Sequence, residues 1–409
     1  MKTGIGKPVS GIATFGPEVH ENPYPWYEKL RRDSPVHWDE KLGGWLVTRY
    51  EDAAHVLNDR HYSSSRVALA RDRFRDARWK PLFDVLKAKM SEQDDPDHKR
   101  VRGLVNNAFA RTAVEQWAPI LEARAGGLLE NATKANQLEF IADFAVPLPL
   151  LLILEIVGIP LEDRERVKTW CDDFAVVALN YFASISPEEM EKGLHSTCEF
   201  RSYLEERMVD LRNSKQNNLL SGLAQAEQQQ HRLSVDELLS NLLLLLSAGN
   251  ETTTCLLSNG MASLLAWPEQ MQLLRDDPTL IPNAVEELLR FDSPVQFLGR
   301  VALQDVNLGG EKIRAGQLVL PMIGAANRDP EKFDHPNELD VTRQRNHHLS
   351  FGHGIHFCAG AQLARLEAKI AFETILRRFA TIELVDEGPL KHRANFNIRC
   401  YERLTVRVS

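Results

Sequence analysis

Residues 351–360 read Phe351-Gly-His-Gly-Ile-His-Phe-Cys358-Ala-Gly360. Three glycines in ten residues precede an amphipathic stretch from Ala361 to about Phe379, which predicts a tight loop feeding a helix N-terminus. Cys358 stands at that junction. A thiolate there meets the positive end of the helix dipole and unpaired N–H groups, which lower its pKa. Glycines carry no Cβ, so a flat group can lie close against the backbone. A cysteine taken alone is more commonly a buried packing residue; the glycine loop reverses that preference.

Upstream, the pattern is helical from His98 to about Leu280, with Ser234-Val-Asp-Glu237 as a capping box ahead of a leucine-rich helix. Strand signals return near Val301. Gly309-Gly310 between apolar pairs predicts a hairpin, with 318–323 as a strand able to pair nearby. A short helix is expected over 25–32, strand-like sequence at 44–48, and short strands in the tail 382–408. Residues 63–92 read as an irregular, solvated loop with a short amphipathic helix. The expected fold is mainly α with small peripheral β-sheets. It is expected to form one unit over 1–409, helix-rich over about 95–290 and 361–379, with β regions at about 44–60, 301–325 and 382–408.

Composition narrows the function. The 409 residues carry 49 Lys+Arg against 57 Asp+Glu, a net charge of −8, which argues against general nucleic-acid binding. The N-terminus is polar, and the apolar runs 144–159 and 242–246 are too short to span a bilayer, so no membrane anchor and a cytoplasmic location are expected. Five scattered cysteines (171, 198, 255, 358, 400) without a CxxC pair argue against a disulfide scaffold or a four-cysteine zinc site.

Phe351-x-x-Gly354-x-His356-x-Cys358-x-Gly360 resembles the haem-binding signature of the cytochrome P450 superfamily. Three further motifs in family order support the resemblance. Glu287-Leu-Leu-Arg290 is similar to its Glu-x-x-Arg motif. Ala248-Gly-Asn-Glu-Thr-Thr253 is similar to its oxygen-activation motif, and Asp95-Pro-Asp-His98-Lys-Arg-Val-Arg102 to its propionate-gripping helix. The resemblance covers nearly the whole chain and is nearest to soluble bacterial members. It implies that Cys358 is the axial thiolate on haem b, pushing electron density toward the iron. It implies that His98, Arg102, Arg300 and His356 hold the propionates, with Ala248, Gly249 and Gly360 also contacting the cofactor. Singly, each of those cations would be an ordinary surface charge.

Glu287 and Arg290 share a helix face and alone would make a weak surface pair. The resemblance adds Arg343 as a third, structural member. Gly249 followed by three threonines can open a helix, since hydroxyls bond back to i−4 carbonyls. In the family, Glu251 and Thr252 are there the acid–alcohol pair that delivers protons to the reacting O2. Asn397-Ile-Arg399-Cys400 departs from the family, in which many relatives place glycine after the arginine.

Pocket residues implied by segment are Val85, Leu86 and Met90; Leu244, Leu245 and Ala248; Val295, Gln296, Phe297 and Leu298; and Phe396, Asn397 and Ile398. Ordinary core packing is an equal alternative for most of them. Their apolar character favours a fatty acid, terpenoid or steroid-like substrate. The sequence holds no second cysteine cluster and no Gly-x-Gly-x-x-Gly unit, so no fused flavin or iron–sulfur segment is expected. Electrons are therefore expected from a ferredoxin-type donor and its NAD(P)H-dependent reductase, steered by Lys99, Arg100, Arg345, Arg365 and Lys369. The implied activity is a monooxygenase. The alternatives are an oxidase of the same fold acting on a carrier-tethered substrate or driven by peroxide, and a haem sensor without turnover.

Overall fold

The computed structural model describes residues 16–409 except 107, 181–184, 213–218, 220–232, 386–387 and 394. Most of the polar N-terminal stretch read above lies outside them. Six helices position the site: α1 (Asp97–Asn106), α2 (Pro147–Val157), α3 (Arg164–Asn180), α4 (Val235–Ala266), α5 (Ile281–Phe291) and α6 (Ala361–Arg378). Helix α4 forms where expected. Glu237 N donates to Ser234 Oγ at 3.1 Å and Ser234 N to Glu237 Oε2 at 2.8 Å, closing the capping box. Its leucines are buried nearly all round because α2, α3, α5 and α6 pack against it. Among the described residues no helix is long and apolar enough to cross a membrane.

The strands are short and peripheral. A five-stranded sheet runs β1-β2-β8-β5-β3, from β1 (Val36–Asp39), β2 (Gly44–Val47), β3 (Tyr62–Ser63), β5 (Arg300–Ala302) and β8 (Leu318–Pro321). β4 (Gln137–Glu139), β10 (Thr405–Val408) and β9 (Ile382–Leu384) make a second sheet. The hairpin pairs β6 (Val306–Leu308) with β7 (Glu311–Ile313), and its glycines take φ of +57° and +87°.

β8 pairs with the nearby β5, as expected, and also with β2. Two local expectations are corrected. Residues 50–58 are a helix rather than part of a β region, because Tyr50, Ala53, Val56 and Leu57 fall on one buried face. Residues 67–92 are a succession of short helices whose Val67, Trp79, Leu82, Val85, Leu86 and Met90 are buried, not a solvated loop. The arginines interleaved there obscured the apolar face.

Candidate active site

The cysteine loop is shaped by its glycines. Gly352 and Gly354 both have φ +71°, and a Cβ at Gly354 would lie 2.8 Å from Asn58 Oδ1 and 3.0 Å from the Leu57 carbonyl. Cys358 N donates to the Phe351 carbonyl at 2.8 Å, closing the loop. Phe351 lies under the Arg365 guanidinium, 4.5 Å from the ring centroid. Arg365 is itself held by both oxygens of Glu286, at 2.7 and 2.8 Å. Burial raises the Glu286 pKa, but Arg365 and His348 overcome it and hold the carboxyl at about 2. Burial raises the Cys358 thiol above its usual value, so the net lowering expected from the helix N-terminus does not appear. The Gly360 N–H and the Arg102 and Arg365 guanidiniums act in the favourable direction, toward the thiolate a metal requires.

Cys358 opens onto a cavity whose walls include Ala248, Gly249, Thr252, Leu298 and Gly360. His98, Arg102, Arg300 and His356 all border it. The two imidazoles lie together, with centroids 4.2 Å apart. Burial pushes His356 down to about 3 and Arg300 to about 10. His98 Nε2 and His356 Nε2 are buried without a hydrogen-bond partner among the described residues. Two orphaned imidazole nitrogens beside two guanidiniums suit a pair of carboxylates. A Cβ at Gly360 would meet nothing within 4 Å, leaving that face open to a flat ring. The donor set therefore fits a haem with Cys358 on its iron. Arg66, which sequence reading did not single out, also borders this cavity and pairs with the buried Glu92.

Helix α4 divides the acid from the alcohol. Thr252 borders the haem cavity and donates to the Ala248 carbonyl at 2.7 Å. The helix nevertheless continues through this point rather than opening. Glu251 faces a separate cavity, with Lys168, Asp172, Asn250, Arg393 and Asn395. Burial raises its pKa, and Arg393 opposes the rise.

Sequence reading missed Glu367. It is 1% exposed, borders the haem cavity and bonds to Thr253. Burial outweighs that bond and pushes its carboxyl up to about 8. A carboxyl kept neutral in the fold but ionised in the unfolded chain loses stability for the protein as pH rises from 4.5 to about 8. Glu367→Gln should therefore match the wild type in melting temperature at the acid end and exceed it at the alkaline end. Parallel melting curves across that range would contradict the assignment.

Glu287 and Arg290 are wholly buried, unlike the surface pair their spacing alone suggests. Arg290 donates to both Glu287 oxygens at 2.7 Å and to the carbonyls of Asn327, Pro336 and Glu338. Arg343 Nε reaches Glu287 at 3.1 Å, and Asn346 adds a bond at 2.9 Å. The network joins α5 to the segment leading into the cysteine loop.

Of the implied pocket residues, Met90, Leu244, Leu245, Ala248, Val295 and Leu298 border the cavity. Val85 and Leu86 do not; they face the main core at 0% exposure. Phe297 and Phe396 pack with Tyr27 in a separate cluster, where the Tyr27 hydroxyl binds Gln296. Ile398 packs on Val295, and Asn397 does not border the cavity either. The basic cluster is partly neutralised. Arg365 is bound to Glu286, Arg100 to Asp97 and Glu237, and Lys369 to Glu373, while Lys99 and Arg345 remain exposed.

A helical fold with a cysteine-ended cavity and propionate-type cations defines a haem-thiolate protein. Comparison with known proteins agrees: the family model described as Cytochrome P450 matches residues 40–396. The Bacillus subtilis protein "Biotin biosynthesis cytochrome P450" is 36% identical, covering 96% of this chain and 98% of its own. "Polyketide biosynthesis cytochrome P450 PksS" from the same organism is likewise 36% identical, over 96% and 98%. The crystal structure of P450BioI with a hexadec-9Z-enoic acid ligated acyl carrier protein superposes with a TM-score of 0.90 at 36% identity, over 96% of this chain and 100% of that one. The chain belongs to the cytochrome P450 family. It is an oxidoreductase of the bacterial monooxygenase type and binds haem b.

Proposed function

We propose that the protein inserts one atom of O2 into a lipophilic acyl-chain substrate, taking electrons from NAD(P)H through a ferredoxin reductase and a ferredoxin. The observation that carries this reading is the apolar wall of Met90, Leu244, Leu245, Val295 and Leu298 in the same cavity as Cys358 and Thr252. Bound haem supplies dioxygen binding and reductive O–O cleavage. The protein does the rest: Cys358 donates its thiolate, the cations hold the propionates, and the leucines exclude water and orient a hydrocarbon chain. Thr252 presents a hydroxyl into the cavity. Glu251, on the far side of α4, takes up protons from the charged cavity that contains Lys168, Asp172 and Arg393.

Removing the two groups should have different effects. Thr252→Ala leaves thiolate, cations and pocket in place, so substrate affinity should hold while product per NADH falls several-fold and hydrogen peroxide accumulates. Glu251→Gln removes the ionisable carrier and should slow the whole cycle by about 10²-fold or more. Unchanged coupling in the first together with an unchanged rate in the second would exclude the pair from proton delivery.

A second reading, an acyl chain delivered on a carrier protein, is favoured by the solved P450BioI complex. Titrating free fatty acids, terpenoids, steroids and acyl-loaded carrier protein against the low-to-high-spin Soret shift tests both readings. A shift with long-chain acids supports the proposal, and a shift confined to the loaded carrier supports the second reading. No response to either would reject an acyl substrate.

A further inference from the structure

Cys255 and Cys400 take no part in the chemistry above, yet the fold brings them together. With Ile398 and Val295 they form a small cluster in which both cysteines are 0% exposed. Both are free, buried thiols of this one cluster. Cys255 lies on α4, one turn beyond Thr252. Cys400 lies on the C-terminal segment, where Ile398 bridges to Val295 in the wall of the haem cavity. Arg393 N donates to the Cys400 carbonyl at 2.8 Å, and the Arg393 guanidinium favours a thiolate at Cys400. Burial opposes ionisation of both sulfurs and Arg393 favours it at both; Cys400 is assigned the attack and Cys255 the resolution.

We propose that hydrogen peroxide converts Cys255 and Cys400 into an intramolecular disulfide that ties α4 to the C-terminal segment. The Cys400 thiolate attacks one peroxide oxygen and the O–O bond breaks. Hydroxide leaves and takes up a proton as the first water, and Cys400 becomes a sulfenic acid. The Cys255 sulfur then displaces the sulfenic oxygen, which departs with the Cys255 proton as the second water. Two thiols are oxidised by two electrons and one peroxide is reduced to two waters. The oxidant is what the proposed reaction releases when dioxygen is reduced without product forming, so the source of peroxide rests on that reading. The thiol chemistry itself needs only peroxide.

The test uses haem-loaded protein exposed to hydrogen peroxide without any electron donor, then denatured, alkylated and mapped by mass spectrometry. Two of the five thiols should be lost to alkylation and recovered with dithiothreitol, and one cross-linked peptide should join Cys255 to Cys400. C198A should retain the cross-link, and C400A should leave Cys255 alkylatable. Wild-type protein in which both cysteines stay alkylatable, or in which either pairs with another cysteine, would overturn the proposal. Because no turnover is involved, failure of the monooxygenase reading would leave this result standing, and the reverse also holds.

Discussion

Replacing Cys358 by alanine or histidine should abolish the thiolate-type ferrous carbonyl absorption at the red edge of the Soret region and end dioxygen turnover. The loss should be complete, because the other four cysteines are placed where they cannot compensate. Cys171, Cys255 and Cys400 are buried away from the haem cavity wall, and Cys198 lies exposed on a different helix. The loop that presents Cys358 depends on glycine φ values and on the Phe351 carbonyl, neither of which the substitution disturbs. The variant should therefore fold and retain the cavity while losing the spectrum. A Cys358→Ala protein that keeps the absorption would transfer the axial role to another sulfur.

Arg290→Ala should be the most damaging change outside the cavity. Both Arg290 and Glu287 are 0% exposed, so truncating Glu287 leaves the Arg290 charge buried against carbonyls alone, and truncating Arg290 leaves Glu287 with only Arg343 as a cationic partner. Breaking a buried pair of this kind costs about 3–5 kcal/mol, comparable to much of a domain's stability. Three backbone carbonyls would also lose their donor. The expected result is little soluble haem-loaded protein, with Glu287→Ala behaving alike. Either variant recovered with normal haem content and melting temperature would show that the network does not hold the cysteine loop.

What was legible in the sequence depended on how local its cause was. The cysteine loop could be read because glycines with positive φ are demanded by the backbone itself, and the start of α4 because its capping box spans four residues. Pocket membership was less accessible. Met90 reaches the cavity whereas Val85 and Leu86, on the preceding helix, face the core; that choice is made by packing against distant elements. Phe297 and Phe396 were drawn away by Tyr27, more than 250 residues from either in the chain. Charge followed the same rule: Arg365, read as part of an exposed basic cluster, is paired with Glu286, and Glu367, two residues on, is buried.

Insertion of one oxygen atom from O2 can be followed with isotopically labelled dioxygen. Haem-loaded protein is supplied with NADH, a surrogate ferredoxin and reductase, and the ligand giving the largest spin shift. One labelled oxygen atom is expected in each molecule of product. Product that forms only with added peroxide, or that carries no label from dioxygen, would contradict it.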